Sequence, residues 1–297
     1  MKKIKIAVDI GNSNVVIGLY TNGKWEKIYR LSTKKNFTYW SFQKKLKKII
    51  SLNDFNPSNV NAVIISSVVP TLTDIVKISC NDMLCENIHI VRASSVKKVK
   101  VSIDNINEIG TDLLSNAVEG SSLYDSNVII VDFGTALTFT VVSKNNEVLG
   151  VNIVPGLKTA INSLYKNTAN LPVIDLEIPD KVIGKNTIHS IQSGIMYGYI
   201  GLVKEMILKI KSELIGDTKV IATGGLSKFA KPLKSEFNDI IPSLTLDGML
   251  KILDDYEKVW IKSLNIKQKH NLIVYIYRLT LKIILDEKKC NYLWYGR

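Results

Sequence analysis

The chain has 297 residues, 46% of them hydrophobic, enough to bury a large core and to divide into two domains. No apolar run approaches the roughly 20 residues of a membrane span, and the stretch after Met1-Lys2-Lys3, interrupted by Lys5 and closed by Asp9, is too short for a secretory signal. The formal charge is +12, and half of that surplus falls in residues 259–297, where eight Lys and Arg face two acids; the remaining lysines are dispersed, which argues against a nucleic-acid surface in the body of the chain.

In chain order, the pattern predicts strands at Lys3–Val8, Val15–Tyr20 and Trp25–Arg30, then a helix at Tyr39–Leu52 with apolar residues at helical spacing. Asn56-Pro57-Ser58 reads as a turn. Asn61–Val69 is a continuous apolar strand of the buried parallel kind, closed by Pro70. A helix at Thr71–Leu84 and a short strand at Ile88–Val91 follow. Ser94–Asn107 reads as a domain junction, and a helix at Gly110–Leu123 bridges the halves. The second half repeats the order: strands at Asn127–Val131, Leu137–Ser143 and Val148–Ile153, helices at Gly156–Leu164 and Thr187–Leu214, a strand at Lys219–Ala222, a helical stretch at Ser227–Glu236 and a closing segment at Thr245–Tyr256. The expected fold is α/β: two actin-like (ribonuclease H-like) domains, residues 1–105 and 106–258, each with a βββαβα core, facing each other across a cleft. Residues 259–297 form a basic extension.

Two turns carry the chemical signal. Asp9-Ile10-Gly11-Asn12-Ser13-Asn14 and Asp132-Phe133-Gly134-Thr135 each lie between two apolar, β-branched runs. One such turn reads as an ordinary hairpin; two in matching contexts point to phosphate binding. Gly11 and Gly134 leave the backbone bare to a phosphate, and Asn12, Ser13, Asn14 and Thr135 add donors. Asp9 and Asp132 imply bridging cations, since a carboxylate does not touch phosphate directly.

Thr223-Gly224-Gly225 at a strand end fits both a helix-entry turn and an adenosine-contacting loop. Asp112 fits two roles: a first-turn acid on the helix dipole after a Thr111 cap, and a general base at the cleft. Val154–Leu157 reads as a helix-opening turn, Asn167–Pro172 as a polar loop and Thr187 as a cap or a substrate contact. His89, His189 and His270 share no metal spacing. Cys80, Cys85 and Cys290 form no CxxC pair, as in a reduced cytoplasmic protein. No G-x-x-x-x-G-K-[ST] or G-x-G-x-x-G occurs, which disfavours Walker-type kinases and Rossmann dehydrogenases.

An ordered set of motifs resembles the type III pantothenate kinases of the acetate and sugar kinase/Hsp70/actin superfamily. The set runs DIGNSNVVIGLY (9–20), SSVVP (66–70), GTD (110–112), DFGTALTF (132–139), PGL (155–157), NTANLP (167–172), TIHSIQSG (187–194), TGG (223–225) and TLDGM (245–249). The resemblance implies ATP-dependent phosphorylation of pantothenate, the first committed step toward coenzyme A, by a cytoplasmic homodimer with its substrate pocket near the dimer interface. It implies Mg²⁺ with ATP and a monovalent cation, K⁺ or NH₄⁺. It places ATP on Asp9, Ile10, Gly11, Asn12, Ser13, Asn14, Val15, Val16 and Thr135, with Asp9 on the Mg²⁺ side. It places pantothenate on Gly110, Thr111, Asp112, Leu113 and Thr187, with Asp112 as base, and the monovalent cation on Asp132. Leu113 stands where the family usually carries Arg, Leu137 where it carries Thr, and Thr140 where it carries an acid or amide. The competing reading is a non-catalytic accessory transcriptional regulator on the same scaffold, favoured by the basic tail and Leu113.

Overall fold

A computed structural model of the chain describes residues 3–33 and 37–258. The basic extension at 259–297, with Cys290 and His270, lies outside the described residues. The chain divides into two compact units, Met1–Ile252 and Leu253–Arg297. Of the second, residues 253–258 are helical.

The first unit holds two sheets. In the first, β1 (Ile4–Ile10), β2 (Asn14–Thr21) and β3 (Lys24–Ser32) form an antiparallel meander. Its second turn is Asn22-Gly23, both with positive φ (52° and 80°), the backbone that a two-residue hairpin requires. Helix α1 (Tyr39–Leu52) opens with a reciprocal capping box between Thr38 and Ser41. Strand β4 (Val60–Ser67) returns parallel to β1, helix α2 (Pro70–Met83) starts with Pro at its first position, and β5 (Ile88–Ile90) finishes the order β3-β2-β1-β4-β5. Phe42, Leu46 and Ile49 of α1 and Val76 and Cys80 of α2 pack on Ile6, Val8, Ile10 and Ile65.

After β6 (Lys100–Val101) and α3 (Thr111–Leu123), the second half repeats this plan. Strands β7 (Asn127–Phe133), β8 (Ala136–Val142) and β9 (Glu147–Pro155) make the meander. Helices α4 (Leu157–Asn167) and α5 (Thr187–Glu213) follow, then β10 (Thr218–Thr223), parallel to β7, and β11 (Asp239–Ile240). The order β11-β10-β7-β8-β9-β6 matches the first sheet strand for strand, with β6 added at the edge. Residues 244–252 close the unit as helix α6. The expected duplicated βββαβα plan is therefore present. The two-residue strand β6 is an addition to it, β11 answers β5, and Ser227–Glu236 is a 3₁₀ segment with Pro232 inside it.

The two faces of the second sheet differ. Ile129, Val131, Phe133, Leu137 and Phe139 pack against Val203 and Ile207 of α5. The opposite face meets α3, where a Cβ on Gly120 would lie 2.7 Å from Ile130 Cδ1. Asp132 is on this second face, bonded to Asn116 of α3. Among the described residues, no helix is long and apolar enough to cross a membrane.

Candidate active site

The duplication extends to single positions. Asp9 is the next-to-last residue of β1 and pairs in register with Ser66 on β4 and Val16 on β2. Asp132 is the next-to-last residue of β7 and pairs with Thr223 on β10 and Thr138 on β8. Cross-strand partners share a sheet face. Each acid is thus followed by a hairpin turn and flanked by a hydroxyl residue on the parallel neighbour.

The two turns meet. Ser13 Oγ and Thr135 Oγ1 are 2.7 Å apart. Thr33 at the end of β3 braces the first turn, donating from its hydroxyl to the Gly11 carbonyl (2.9 Å) and from its amide to the Ser13 carbonyl (2.9 Å). The start of α4 braces the second: Gly156 N and Thr159 Oγ1 donate to the Thr135 carbonyl at 3.0 and 2.6 Å. The Gly11 amide donates to Asn14 O and the Gly134 amide to Ala136 O, closing the turns. Those two amides are therefore spent within the turns, and the exposed donors for an anion are Asn12, Ser13 and Thr135. Ile10 and Val15 are core residues of the first sheet, and Val16 is buried beside Asp9; their side chains are not polar contacts for a nucleotide.

Helix α3 joins the halves chemically. Thr111 Oγ1 lies 3.0 Å from Ser66 Oγ and accepts from the Ser67 amide (3.0 Å), fixing the helix start to the end of β4. One turn later, Asn116 Nδ2 donates to Asp132 Oδ2 (3.0 Å), while Thr245 Oγ1 of α6 donates to Asn116 Oδ1 (2.8 Å). Asp112 and Asn116 are four residues apart on one helix face. The Asp112 carboxylate accepts from the Leu113 amide (2.9 Å) and folds back over Gly110, where a side chain would collide with it. Thr111 thus positions the helix, and Leu113 is buried.

Three carboxylates influence one another here. Burial, then the Asp112 charge, pushes Asp9 up to about 7; the Ser66 hydrogen bond opposes this. Burial and again Asp112 push Asp132 up to about 6, against the Asn116 hydrogen bond. Burial raises Asp112 itself. A partly dry cluster of acids held near their titration range favours cations. Among the described residues, no group of three His, Cys, Asp or Glu forms a protein cage for a metal. A Mg²⁺ held by one carboxylate and substrate phosphates fits that arrangement. Beside Asp132, the buried hydroxyls of Thr138 and Thr223 have no hydrogen-bond partner, so hard oxygen donors suited to a monovalent cation are present. Leu137 points to the α5 face, away from Asp132, whereas Thr140 is on the Asp132 face two residues along from Thr138.

The other predicted contacts fall elsewhere. Gly224 (φ 92°) presses on the Phe133 backbone, 2.8 Å from a built Cβ, so this glycine is required for strand approach. Asn186, rather than Thr187, caps α5 by accepting from the His189 amide (2.9 Å). Thr187 lines a separate cavity of about 640 Å³ with Leu164, Leu171, Lys185, Ser190 and Ile191. Asn167 and Thr168 tie off the end of α4 by donating to the Ser163 and Leu164 carbonyls.

Sequence reasoning missed Asn116 and Thr245. An Asn four residues after Asp112, inside an apolar helix, was the available signal. TLDGM proves to be a docking segment: Asp247 Oδ1 accepts from Trp25 Nε1 (2.6 Å), and a Cβ on Gly248 would run into the Ser115 carbonyl, 2.6 Å from its carbon.

Twin sheets, each with an acid and a polar turn at the end of its first strand, define an actin-like scaffold. Solved structures share it: a Sinorhizobium meliloti protein provisionally assigned as a 2-dehydro-3-deoxygalactonokinase has TM-score 0.54 at 10% identity, covering 84% of this chain and 95% of that one. A reductive activator for a corrinoid, iron-sulfur protein has TM-score 0.52 at 12% identity, covering 88% and 62%. A sequence profile of the type III pantothenate kinases matches residues 5–209. Curated relatives of that name are 37% identical over 253 residues in Pelobacter propionicus (85% of this chain, 98% of the relative) and 36% identical over 244 residues in Citrifermentans bemidjiense (82% and 96%). The chain belongs to the type III pantothenate kinase family.

Proposed function

We propose that this protein transfers the γ-phosphoryl group of ATP to the hydroxyl of pantothenate, the entry step to coenzyme A, with Asp112 as general base. The observation that carries the reading is the meeting of Asp9, Asp112 and Asp132 beside two hairpin turns that touch through Ser13 and Thr135. Phosphoryl transfer asks a protein mainly for positioning and charge neutralisation. Asp112 sits at the start of α3, held by Thr111, where its raised carboxyl takes the proton of the attacking hydroxyl. Ser13, Asn12 and Thr135 donate to the phosphates. Asp9 is the side chain that would hold Mg²⁺ with ATP, and Asp132, with Thr138 and Thr223, would hold K⁺ or NH₄⁺; bound there, these ions neutralise phosphate and carboxylate charge.

The α5 cavity supports a homodimer reading. It carries Thr187 but none of the three acids, so Thr187 reaches pantothenate if a second copy supplies it at the interface. We place the N-terminal domain at 1–105 and the C-terminal domain at 106–258. The regulator reading is less favoured, because a DNA-binding scaffold has no use for three half-buried acids gathered at one place.

The test is an assay of purified protein with ATP, Mg²⁺, K⁺ and pantothenate. Phosphopantothenate is the expected product, lost in Asp112→Asn. No product under any monovalent cation sinks the reading.

A further inference from the structure

Arg30 crosses from one half of the unit to the other. On β3 it pairs with Val16, which pairs with Asp9, which pairs with Ser66. Arg30, Val16, Asp9 and Ser66 therefore form one transverse row on the face of the first sheet that carries the acid. The side chain is exposed and extends to the second half. Its guanidinium lies over Gly225, where a built Cβ would stand 3.0 Å from Nη1, 3.2 Å from Cζ and 3.5 Å from Nη2. Such similar distances mean that the flat face of the group rests on bare backbone, leaving the N–H edge free to point elsewhere. Its charge lowers both Asp9 and Asp132. Among the described residues, no carboxylate comes within ion-pair distance of it.

A positive charge is thus placed over Gly225, close enough to Asp9 and Asp132 to lower both, with its donors unspent on either acid. A guanidinium offers a planar fork that matches phosphate oxygens. We propose that Arg30 is a nucleotide-binding residue, its guanidinium taking the β- and γ-phosphates of ATP from the Gly225 side. The proposal rests on the ATP-dependent reading above and adds a residue to it. It also accounts for Gly225: a side chain there would displace the guanidinium.

Calorimetric titration of wild type, Arg30→Ala and Arg30→Lys with AMP and with a non-hydrolysable ATP analogue plus Mg²⁺ tests it. Arg30→Ala should weaken the ATP analogue tenfold or more and AMP less than twofold, with KM for ATP rising in parallel and KM for pantothenate unchanged. Arg30→Lys, which keeps charge but not the fork, should fall between. Equal losses for AMP and the analogue would make Arg30 a structural prop and overturn the proposal, as would no loss, or a wild type that binds neither nucleotide. If Arg30→Ala does not fold, Arg30→Lys and Gly225→Ala carry the same comparison. Wild type that binds the analogue but yields no phosphopantothenate would sink the substrate reading and leave the Arg30 result standing.

Discussion

The hydroxyls of Ser13 and Thr135, 122 positions apart in sequence, are 2.7 Å from each other. This contact ties the first turn, braced by Thr33, to the second, braced by α4. ATP phosphates that take these donors must replace the contact. Thr135→Ala removes the proposed phosphate donor and leaves Ser13 without its partner. KM for ATP should rise about tenfold, the effect of one lost hydrogen bond to a charged group of roughly 1.5 kcal/mol. Steady-state kinetics with ATP varied decide this; an unchanged KM counts against a phosphate role for the second turn.

Replacing Asp112 by Asn keeps shape and removes the proposed proton acceptor. Turnover should fall by about 10²–10⁴-fold, the usual contribution of a positioned base. Because burial raises the Asp112 carboxyl, the acid limb of the wild-type pH–rate profile should lie above the ordinary Asp range. A limb at the pKa of a solvated Asp would contradict this.

The acids also govern stability. Asp9 rises from 3.8 to about 7 and Asp132 to about 6 on folding. Between those limits the native state keeps protons that the unfolded chain has lost, so stability falls as pH increases. Ligand-free protein should melt at lower temperature at pH 8 than at pH 5. Asp9→Asn should flatten that slope and raise Tm at pH 8 while abolishing activity. Thermal scans across pH, without nucleotide or metal, check it; a steeper slope in Asp9→Asn sinks the argument.

Asn116 holds Asp132 and is itself held by Thr245. Asn116→Ala leaves a half-buried hydroxyl and a half-buried carboxylate each short of a partner, at about 1–3 kcal/mol. The diagnostic readout is a K⁺ titration of activity, whose midpoint should move to higher concentration. Loss of stability with an unmoved midpoint would reduce Asn116 to packing.

Two glycines in helices should behave oppositely. Gly248→Ala pushes a methyl into the Ser115 backbone and should destabilise by about 3 kcal/mol or more. Gly198, exposed on α5 with open space around it, should tolerate Ala and gain up to about 1 kcal/mol. Denaturant midpoints for the two variants settle this.

Much of the scaffold was legible because buried strands announce themselves by continuous apolar runs, as Val60–Ser67 does, and because Gly and Pro punctuate them. β6 and β11 were not, since two-residue edge pairings leave no period to read. Of the candidate site, Asp9 and Asp132 stood out from their turns, whereas Asp112 at its helix start read equally as a first-turn acid. The hydroxyl partners did not stand out: Ser66, Thr138 and Thr223 acquire meaning through strand register, which is set by tertiary pairing. Asn116 and Thr245 were hidden for the same reason, their contact spanning 129 positions. Thr187 joined Asp112 through the family resemblance alone; here it borders the α5 cavity, a placement that no motif spacing could report.

Register is also where this protein is most fragile. Asp9 faces α3 and Ser66 only because β1 and β4 pair as they do; Ile10, the next residue, points into the apolar core. A single-residue insertion within β1 would exchange their places, burying a carboxylate among Phe42 and Leu46 and setting an isoleucine beside Ser66. No rotamer change repairs that. Folding to the right pairing and assembling the reactive centre are one event, so a mispaired chain would be inert as well as unstable.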